Sequence, residues 1–139
     1  FQKGTFAPTG RVWSVDNRTA GFRLCGAHSK AVRIECRIGG SDLNPYLAMA
    51  TQIACGIAGI EEALELQPPL DGDAYATKEG GTIPENLRDA RDALHGSDML
   101  RAAIGDDVVA HYSRCAEVEL EWFDKVVTDQ EIARGFEQA

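Results

Sequence analysis

The sequence predicts an α+β fold, in which a β-rich segment is followed by a helical one. Residues 1–40 combine β-branched and aromatic residues with Gly and Pro breaks, a pattern typical of short strands and loops. Residues 41–139 repeat apolar side chains at helical spacing, behind residues that commonly begin helices. Separate runs of strands and helices are typical of the α+β class. We therefore treat residues 1–139 as one domain with two parts of different character.

Three strands are predicted, at residues 11–16, 20–25 and 31–38. The third is the clearest, because polar and apolar side chains alternate along it and so point to opposite faces of a sheet. We expect its apolar face to belong to the core: Val32, Ile34, Cys36 and Ile38. The opposite face carries Arg33, Glu35 and Arg37, with neighbours about 7 Å apart.

The helical part begins where Asn44 precedes Pro45, a capping residue followed by proline in the first turn. We expect the first helix to run to about residue 66, because Pro68 and Pro69 cannot continue it. Residues 67–83 are predicted to form a long polar loop, a kind of segment that is commonly functional or mobile. Further helices are predicted at residues 84–94, 97–105, 106–126 and 129–138.

Composition argues against two classes of partner. The formal net charge is -8, which does not suit a nucleic-acid surface, because phosphate binding needs clustered Lys and Arg. No apolar run is long enough to span a membrane, and the opening residues lack the apolar stretch of a signal peptide, so we expect them to lie inside a longer chain.

The four cysteines lack C-x-x-C spacing and the three histidines are scattered. We predict buried, reduced thiols in a cytoplasmic protein, and histidines that are structural or on the surface.

The charged face of residues 33–37 has two interpretations. One is a solvated strand face, where exposed ion pairs contribute only about 0–1 kcal/mol. The other is a floor for a phosphate and a metal ion, because guanidinium groups suit phosphate oxygens and a carboxylate suits Mg²⁺ or Mn²⁺. Arg18 and Arg23 lie just upstream, which makes four arginines within twenty residues of an acidic chain. No Walker-type glycine-rich loop is present, so side chains and metal would hold the phosphates.

Several short motifs, taken in order and spacing, resemble the C-terminal part of the glutamine synthetase catalytic domain. Each motif alone is short, but the ordered set is specific, and the likeness covers essentially the whole chain. The motifs are Lys3-Gly4-Thr5-Phe6-Ala7-Pro8, Asn17-Arg18-Thr19, Arg23, Arg33-Ile34-Glu35-Cys36-Arg37, Asn44-Pro45-Tyr46-Leu47-Ala48 and Glu121-Trp122-Phe123-Asp124. The resemblance implies an antiparallel sheet with helices packed over one side. It also implies, for the full-length protein, a homo-oligomer of two stacked rings, commonly a dodecamer.

The resemblance further implies an ATP-dependent ligase that uses Mg²⁺ or Mn²⁺. In the family, ATP phosphorylates the side chain of glutamate, and ammonia or a small amine then displaces phosphate from γ-glutamyl phosphate, a reaction of nitrogen metabolism and glutamine biosynthesis. Positioned arginines and metal stabilise the transferring phosphoryl group, so no protein nucleophile is needed. The chain would be a C-terminal fragment of such an enzyme. It would be inactive alone, because it lacks the N-terminal domain and the family's other metal ligands.

Seven residues match functional positions of the family. The implied roles differ: one residue binds metal, two act on the transferred phosphoryl group, three contact the nucleotide and one lies in the loop over the amine site. Glu35 would bind metal, and Arg18 and Arg37 would act on the phosphoryl group, with Arg37 also contacting the glutamate substrate. Arg23, Arg33 and Lys30 would contact the nucleotide, and Phe6 would lie in the loop over the amine site.

Two loop positions depart from other members of the family. Phe6 stands where ammonia-using members carry a glutamate, which resembles the branch that makes γ-glutamyl derivatives of polyamines, ethanolamine or similar amines. Tyr75 lies where some bacterial members carry an adenylylated tyrosine. Its neighbours Ala74 and Ala76 do not match that motif, so we interpret Tyr75 as an ordinary loop tyrosine.

Two other functions stay open at this point. One is a non-catalytic structural or binding relative of the same fold, which loss of the phosphate and metal residues would favour. Arg18, Glu35 and Arg37 are all present. The other is a phosphagen-type guanidino kinase, whose catalytic domain is distantly similar in fold. The Asn44-Pro45-Tyr46 segment argues against it.

Overall fold

The computed structural model describes residues 3–77 and 79–138, which form three strands followed by five helices. The strands are β1 (Trp13–Val15), β2 (Phe22–Cys25) and β3 (Arg33–Cys36). The helices are α1 (Pro45–Glu61), α2 (Leu87–His95), α3 (Asp98–Ile104), α4 (Asp106–Phe123) and α5 (Asp129–Glu137). The α+β class is confirmed, and each predicted strand is present but shorter than its sequence pattern indicated.

The sheet has the order β1-β2-β3 and is mixed, since β2 pairs parallel to β1 and antiparallel to β3. The expectation of an antiparallel sheet is therefore wrong for the β1–β2 pair. The connection at residues 16–21 folds back to the start of β1, so that the Phe22 N–H donates to the Val12 carbonyl at 3.0 Å. Asn17 shapes this connection, because its side-chain oxygen accepts from the backbone N–H and the hydroxyl of Thr19 (2.9 and 2.7 Å).

The loop of residues 67–83 is hydrogen-bonded to the N-terminal segment at both of its ends. The Leu70 N–H donates to the Trp13 carbonyl (2.9 Å), and the Ser14 hydroxyl donates to the Leu70 carbonyl (2.6 Å). Near the other end, the Arg11 N–H donates to the Gly81 carbonyl (3.0 Å). A small core joins the two segments and consists of Val12, Ala20 and Ala74, with Leu70 packed against it. The loop therefore helps to build the fold around β1.

Helix α1 begins as the sequence predicts and ends earlier. The Asn44 side chain accepts from the N–H groups of Tyr46 and Leu47 (3.0 and 3.3 Å), which caps the first turn. The helix ends at Glu61 because Ala63 adopts a left-handed φ of 49°, and the Leu64 N–H turns back to a carbonyl of the last turn. Alanine favours helices, so the sequence carried no signal for this ending.

The helices pack mainly against one another. Helix α2 contacts α4, and α3 contacts both α1 and α4. Asn86 caps α2 by accepting from the Asp89 N–H at 2.9 Å, so this helix begins at Leu87, three residues after the predicted start at Pro84. Among the described residues, no helix is both long and apolar enough to cross a membrane.

The apolar face of β3 is not part of the core, so that prediction is wrong. Ile34 is 71% exposed and Val32 is 55% exposed, and Cys36 is exposed as well. Ile34 instead lines an open cavity of about 720 Å³ between the sheet and α1. Helix α1 presents glycines there, and a Cβ added at Gly56 or Gly59 would meet nothing within 4 Å. Helix α1 thus stands opposite the sheet without closing on it.

The prediction of buried cysteines is also wrong for three of the four. All four thiols are free, as expected, but only Cys25 is buried. Cys36, Cys55 and Cys115 are exposed, because β3 is an edge strand and because α1 and α4 each leave one side uncovered by the described residues.

Ala74 should not accept a larger side chain, because it is 2% exposed within the core that joins the 67–83 loop to the N-terminal segment. Ala74→Leu is expected to lower the free energy of unfolding by about 1–3 kcal/mol, since extra methylenes force strain on a packed site. Ala76→Leu, two residues further on at an exposed position, is the matched control and should change it by less than about 0.5 kcal/mol. Urea denaturation measures the free energy of unfolding of both variants. Equal losses of stability would contradict the conclusion that Ala74 is packed in this core.

Candidate active site

Glu35 is held between two arginines on the polar face of the sheet. The antiparallel register places Glu35 of β3 directly opposite Arg23 of β2, and the Arg23 Nη1 lies 3.2 Å from the Glu35 Oε2. Arg37, two residues further along the chain, donates through Nη1 to the other carboxylate oxygen of Glu35. All three side chains are half-buried. The cation–anion–cation pattern predicted for this region is present, with Arg23 taking the place that the sequence suggested for Arg33.

Asp16 extends this pattern by one more charge. The Arg23 Nε donates to the Asp16 Oδ1 at 3.1 Å, and its Nη2 donates to the same oxygen. Asp16 has a φ of 53°, a left-handed conformation that Asp tolerates better than most residues. The side chains therefore form a network of alternating charge: Asp16, Arg23, Glu35 and Arg37.

The network shifts two pKa values in directions that follow from its contacts. The pKa of Glu35 is lowered, chiefly by the hydrogen bond from Arg37 and then by the charges of Arg37 and Arg23, while partial burial opposes the shift. The pKa of Arg23 is raised, chiefly by its hydrogen bond to Asp16. Glu35 therefore stays ionised over the whole neutral range.

Arg37 ties the network to two further predicted residues through their backbones. Its Nε donates to the Arg18 carbonyl at 3.2 Å, and its Nη2 donates to the Phe6 carbonyl at 2.8 Å. Both contacts join segments far apart in sequence. Arg37 therefore holds three parts of the chain together: residues 4–7, here called the Phe6 loop, the β1–β2 connection of residues 16–21, and Glu35 of β3.

An open cavity of about 550 Å³ lies beside this network. The side chains around it include both aromatic and charged groups, and they come from the N-terminal loop, the β1–β2 connection, β2 and the 67–83 loop. Those that bear on the chemistry are Phe6, Asp16, Arg18, Arg23 and Asp71. An anion entering there would meet guanidinium groups on one side, which suit phosphate or carboxylate oxygens.

Two of the seven predicted residues lie apart from this group. Lys30 is exposed in the turn between β2 and β3. Arg33 is exposed at the start of β3, opposite Cys25, and its Nη1 donates to the Ala31 carbonyl at 3.3 Å. Neither is among the residues that line the cavity beside Arg18 and Arg23.

The donor set fits a phosphate better than it fits a complete metal site. Within residues 3–77 and 79–138, no group of three or more His, Cys, Asp or Glu side chains is placed to hold a metal ion. Both carboxylate oxygens of Glu35 are paired with arginines. Since Mg²⁺ takes about six oxygen ligands, some of them water, this chain would supply one carboxylate to such a site.

Over residues 1–135, the chain matches the family model described as glutamine synthetase, catalytic domain. It belongs to the glutamine synthetase family. The match includes every residue of the charged network and of the cavity beside it.

Relatives within the glutamine synthetase family include enzymes named for different products. The chain is 48% identical over 138 residues to a γ-glutamylethanolamide synthetase of Streptomyces coelicolor. The aligned region covers 99% of this chain and 29% of that protein. It is 35% identical over 133 residues to a γ-glutamylputrescine synthetase of Escherichia coli (95% and 28%). It is 34% identical over 132 residues to a glutamine synthetase of Thermus thermophilus (90% and 29%). The chain thus spans less than a third of the length of these glutamine synthetase relatives.

Sequence reasoning missed two residues of this candidate site. Asp16 was predicted only as the end of the strand at residues 11–16, yet its carboxylate accepts from Arg23, seven residues away. Cys25 is buried, as predicted, and its Sγ also lies 3.7 Å from the Glu35 Oε2. Strand alternation alone places Cys25 on the same face as Arg23, and the register with β3 brings that face beside Glu35. The pairing of Asp16 had no such signal, because it depends on the fold of residues 16–21.

The lowered pKa of Glu35 predicts how stability depends on pH. Because the folded-state pKa lies below the ordinary value of 4.5, the ionised carboxylate stabilises the fold above that pH. The contribution is lost as pH falls through the lowered pKa. The difference in free energy of unfolding between wild type and Glu35→Gln should therefore shrink as pH falls from about 6 to about 3.

Chemical denaturation at several pH values, followed by tryptophan fluorescence, measures that difference. Glu119→Gln is the control variant, because it also removes one carboxylate but at an exposed position of α4, outside the charged network. A constant difference for Glu35→Gln across this pH range would show that its charge does not stabilise the fold.

Proposed function

We propose that the chain, residues 1–139, is the C-terminal fragment of an ATP-dependent ligase that joins ammonia or an amine to the γ-carboxylate of glutamate through γ-glutamyl phosphate. The observation that carries the proposal is Glu35 held between Arg23 and Arg37, beside the cavity that Phe6 and Arg18 line. Membership of the glutamine synthetase family supports it. So do relatives named as glutamine synthetase and γ-glutamylamine synthetases.

Arg18 and Arg37 are assigned to the phosphoryl group that moves from ATP to glutamate. Charge builds on phosphoryl oxygens during such a transfer, and fixed guanidinium groups stabilise it without a protein nucleophile. Arg37 is well suited to a fixed position, because its guanidinium already contacts Glu35 and the carbonyls of Phe6 and Arg18. We also assign the binding of the glutamate substrate to Arg37.

Arg23, Arg33 and Lys30 are assigned to the nucleotide and Glu35 to the metal. A bound Mg²⁺ or Mn²⁺ would act there as a Lewis acid on phosphoryl oxygens. Arg23 lines the cavity and would lie nearest the phosphates. Arg33 lies about 7 Å from Glu35 along β3, and Lys30 lies beyond it in the turn, so both would meet more distant parts of the nucleotide.

The fragment alone should not catalyse this reaction, since its described residues place no group of three or more His, Cys, Asp or Glu side chains where they could hold the metal. We propose that the complete enzyme is cytoplasmic and works as a homo-oligomer, a dodecamer of two stacked rings. The open apolar face of the sheet and the exposed side of α1 agree with further chain or subunits packing there.

A second candidate is a non-catalytic relative in which the network is purely structural. The observation that favours it is that both oxygens of Glu35 are already paired, which leaves the carboxylate with no free oxygen. The two candidates differ in whether the complete protein consumes ATP in the presence of glutamate and an acceptor. They also differ in what removal of Glu35 does to metal–nucleotide binding.

Glu35→Ala in the complete protein should weaken binding of the metal–ATP complex and lower turnover by about 100-fold or more, because it removes the carboxylate assigned to the metal. Titration calorimetry with Mg²⁺–ATP and an assay of phosphate release measure the two effects. Glu119→Ala removes an exposed glutamate of α4 and should leave both close to wild type. Unchanged binding and turnover in Glu35→Ala would reject the metal role of Glu35.

The acceptor is proposed to be an alkyl amine such as ethanolamine, putrescine or spermine. The Phe6 side chain is 57% exposed and lines the cavity, where its ring offers an apolar surface to an alkyl chain. Two of the relatives described above are named for ethanolamide and putrescine products. A phenylalanine has no carboxylate to accept hydrogen bonds or a proton from ammonium.

The complete enzyme should therefore show a higher kcat/KM with these amines than with ammonium. Phe6→Glu should lower kcat/KM for the preferred amine by about tenfold or more, because an apolar contact is replaced by a charge. Steady-state assays with ammonium, putrescine, spermine and ethanolamine measure both. Phe136→Glu, on the exposed end of α5, is the matched control. Clear preference of the wild type for ammonium would defeat the amine proposal.

A further inference from the structure

The Phe6 loop is held by hydrogen bonds at two successive carbonyls. Arg37 donates to the Phe6 carbonyl at 2.8 Å, and the Tyr75 hydroxyl donates to the Ala7 carbonyl at 3.1 Å. The next residue, Pro8, is fully buried and anchors the end of the loop. Arg37 belongs to the charged network described above. Tyr75 lies outside that network and contacts the Phe6 loop from the 67–83 loop, 68 residues away from Ala7 in the sequence.

Phe6 needs this support because its own conformation is unfavourable. Its φ is 56°, in the left-handed region that residues with a Cβ rarely adopt. Such a conformation persists when the surroundings hold it in place. The Phe6 side chain is mostly exposed, so no core contact fixes its direction. The direction of the ring therefore follows from how the carbonyls of Phe6 and Ala7 are held.

Tyr75 is placed on a firmly held part of the 67–83 loop. Its own N–H donates to the Asp73 carboxylate at 2.9 Å. The preceding residue, Ala74, lies in the core, and its N–H donates to the Thr19 hydroxyl at 3.0 Å. Tyr75 thus connects the anchored β1–β2 connection to the Phe6 loop through one hydroxyl group.

We propose that Tyr75 is a positioning residue for the acceptor site. Its hydroxyl fixes the Ala7 carbonyl, keeps the Phe6 ring at the cavity and thereby sets which amines are accepted. This inference rests on the proposed ligase function. It assigns to the Tyr75 hydroxyl a role in acceptor selection, with no direct contact to the reacting atoms.

The test compares Tyr75→Phe with Tyr112→Phe in the complete protein. Both variants keep the ring and lose one hydroxyl that makes one hydrogen bond, since the Tyr112 hydroxyl accepts from the Asn44 Nδ2 at 3.1 Å on the helical side of the fold. Amide hydrogen exchange over residues 4–7 reports on the loop. Steady-state kinetics with ethanolamine, putrescine and ammonium report on the acceptor site.

Loss of one neutral hydrogen bond corresponds to about a three- to tenfold change in an equilibrium. Tyr75→Phe should raise exchange at residues 4–7 and the KM for the preferred amine by about that factor. The KM values for ATP and glutamate, and kcat, should stay within about twofold of wild type. Tyr112→Phe should leave the exchange of residues 4–7 and the amine KM unchanged.

Three results would overturn the inference in distinguishable ways. If the wild type forms no γ-glutamyl amide, the ligase proposal fails and the acceptor role fails with it. If the wild type is active but Tyr75→Phe alters neither loop exchange nor the amine KM, only the role of Tyr75 fails. If Tyr75→Phe raises the KM of all three substrates alike, the residue supports the fold generally and does not select the acceptor.

Discussion

The pairing of Arg23 with Glu35 across β2 and β3 is the interaction on which the rest of the site depends. It is a product of the antiparallel register, which sets the two side chains opposite each other on one face. Because the pair is half-buried, each charge would be costly without the other. Asp16 accepts from Nε and Nη2 of Arg23, and Arg37 donates to the second oxygen of Glu35. The register thus places the central pair of the network, and Asp16 and Arg37 extend it on either side.

The polar face of the sheet is covered by hydrogen-bonded segments of the chain, whereas its apolar face is open. On the polar face, Arg37 reaches the backbones of Phe6 and Arg18, and the 67–83 loop is hydrogen-bonded to β1. On the apolar face, the cavity beneath α1 remains open, and Ile34 is exposed. The charged network is therefore fully ordered within this chain, whereas the hydrophobic surface behind it is left uncovered by the described residues.

The charge balance of the network bears on what it can bind under the proposed function. Asp16 and Glu35 carry two negative charges, and Arg23 and Arg37 carry two positive ones, so the four groups together are neutral. An anionic ligand would gain its net attraction from Arg18, whose side chain lines the same cavity. The network then serves chiefly to hold guanidinium groups in fixed directions. Fixed direction is what stabilises a charge that appears only during reaction.

The sequence by itself determined the α+β class, the order of elements and the family, because strand alternation, helix caps and the spacing of motifs are local in the chain. It also placed Glu35 between cations, since alternation along one strand is a local property. It could not decide that β1 and β2 run parallel, that α1 ends at Glu61, or that the face of Ile34 stays open. It did not place Arg23, rather than Arg33, beside Glu35, and it did not pair Tyr75 with Ala7. Those features rest on contacts between residues distant in sequence, and only the tertiary structure brings such residues together.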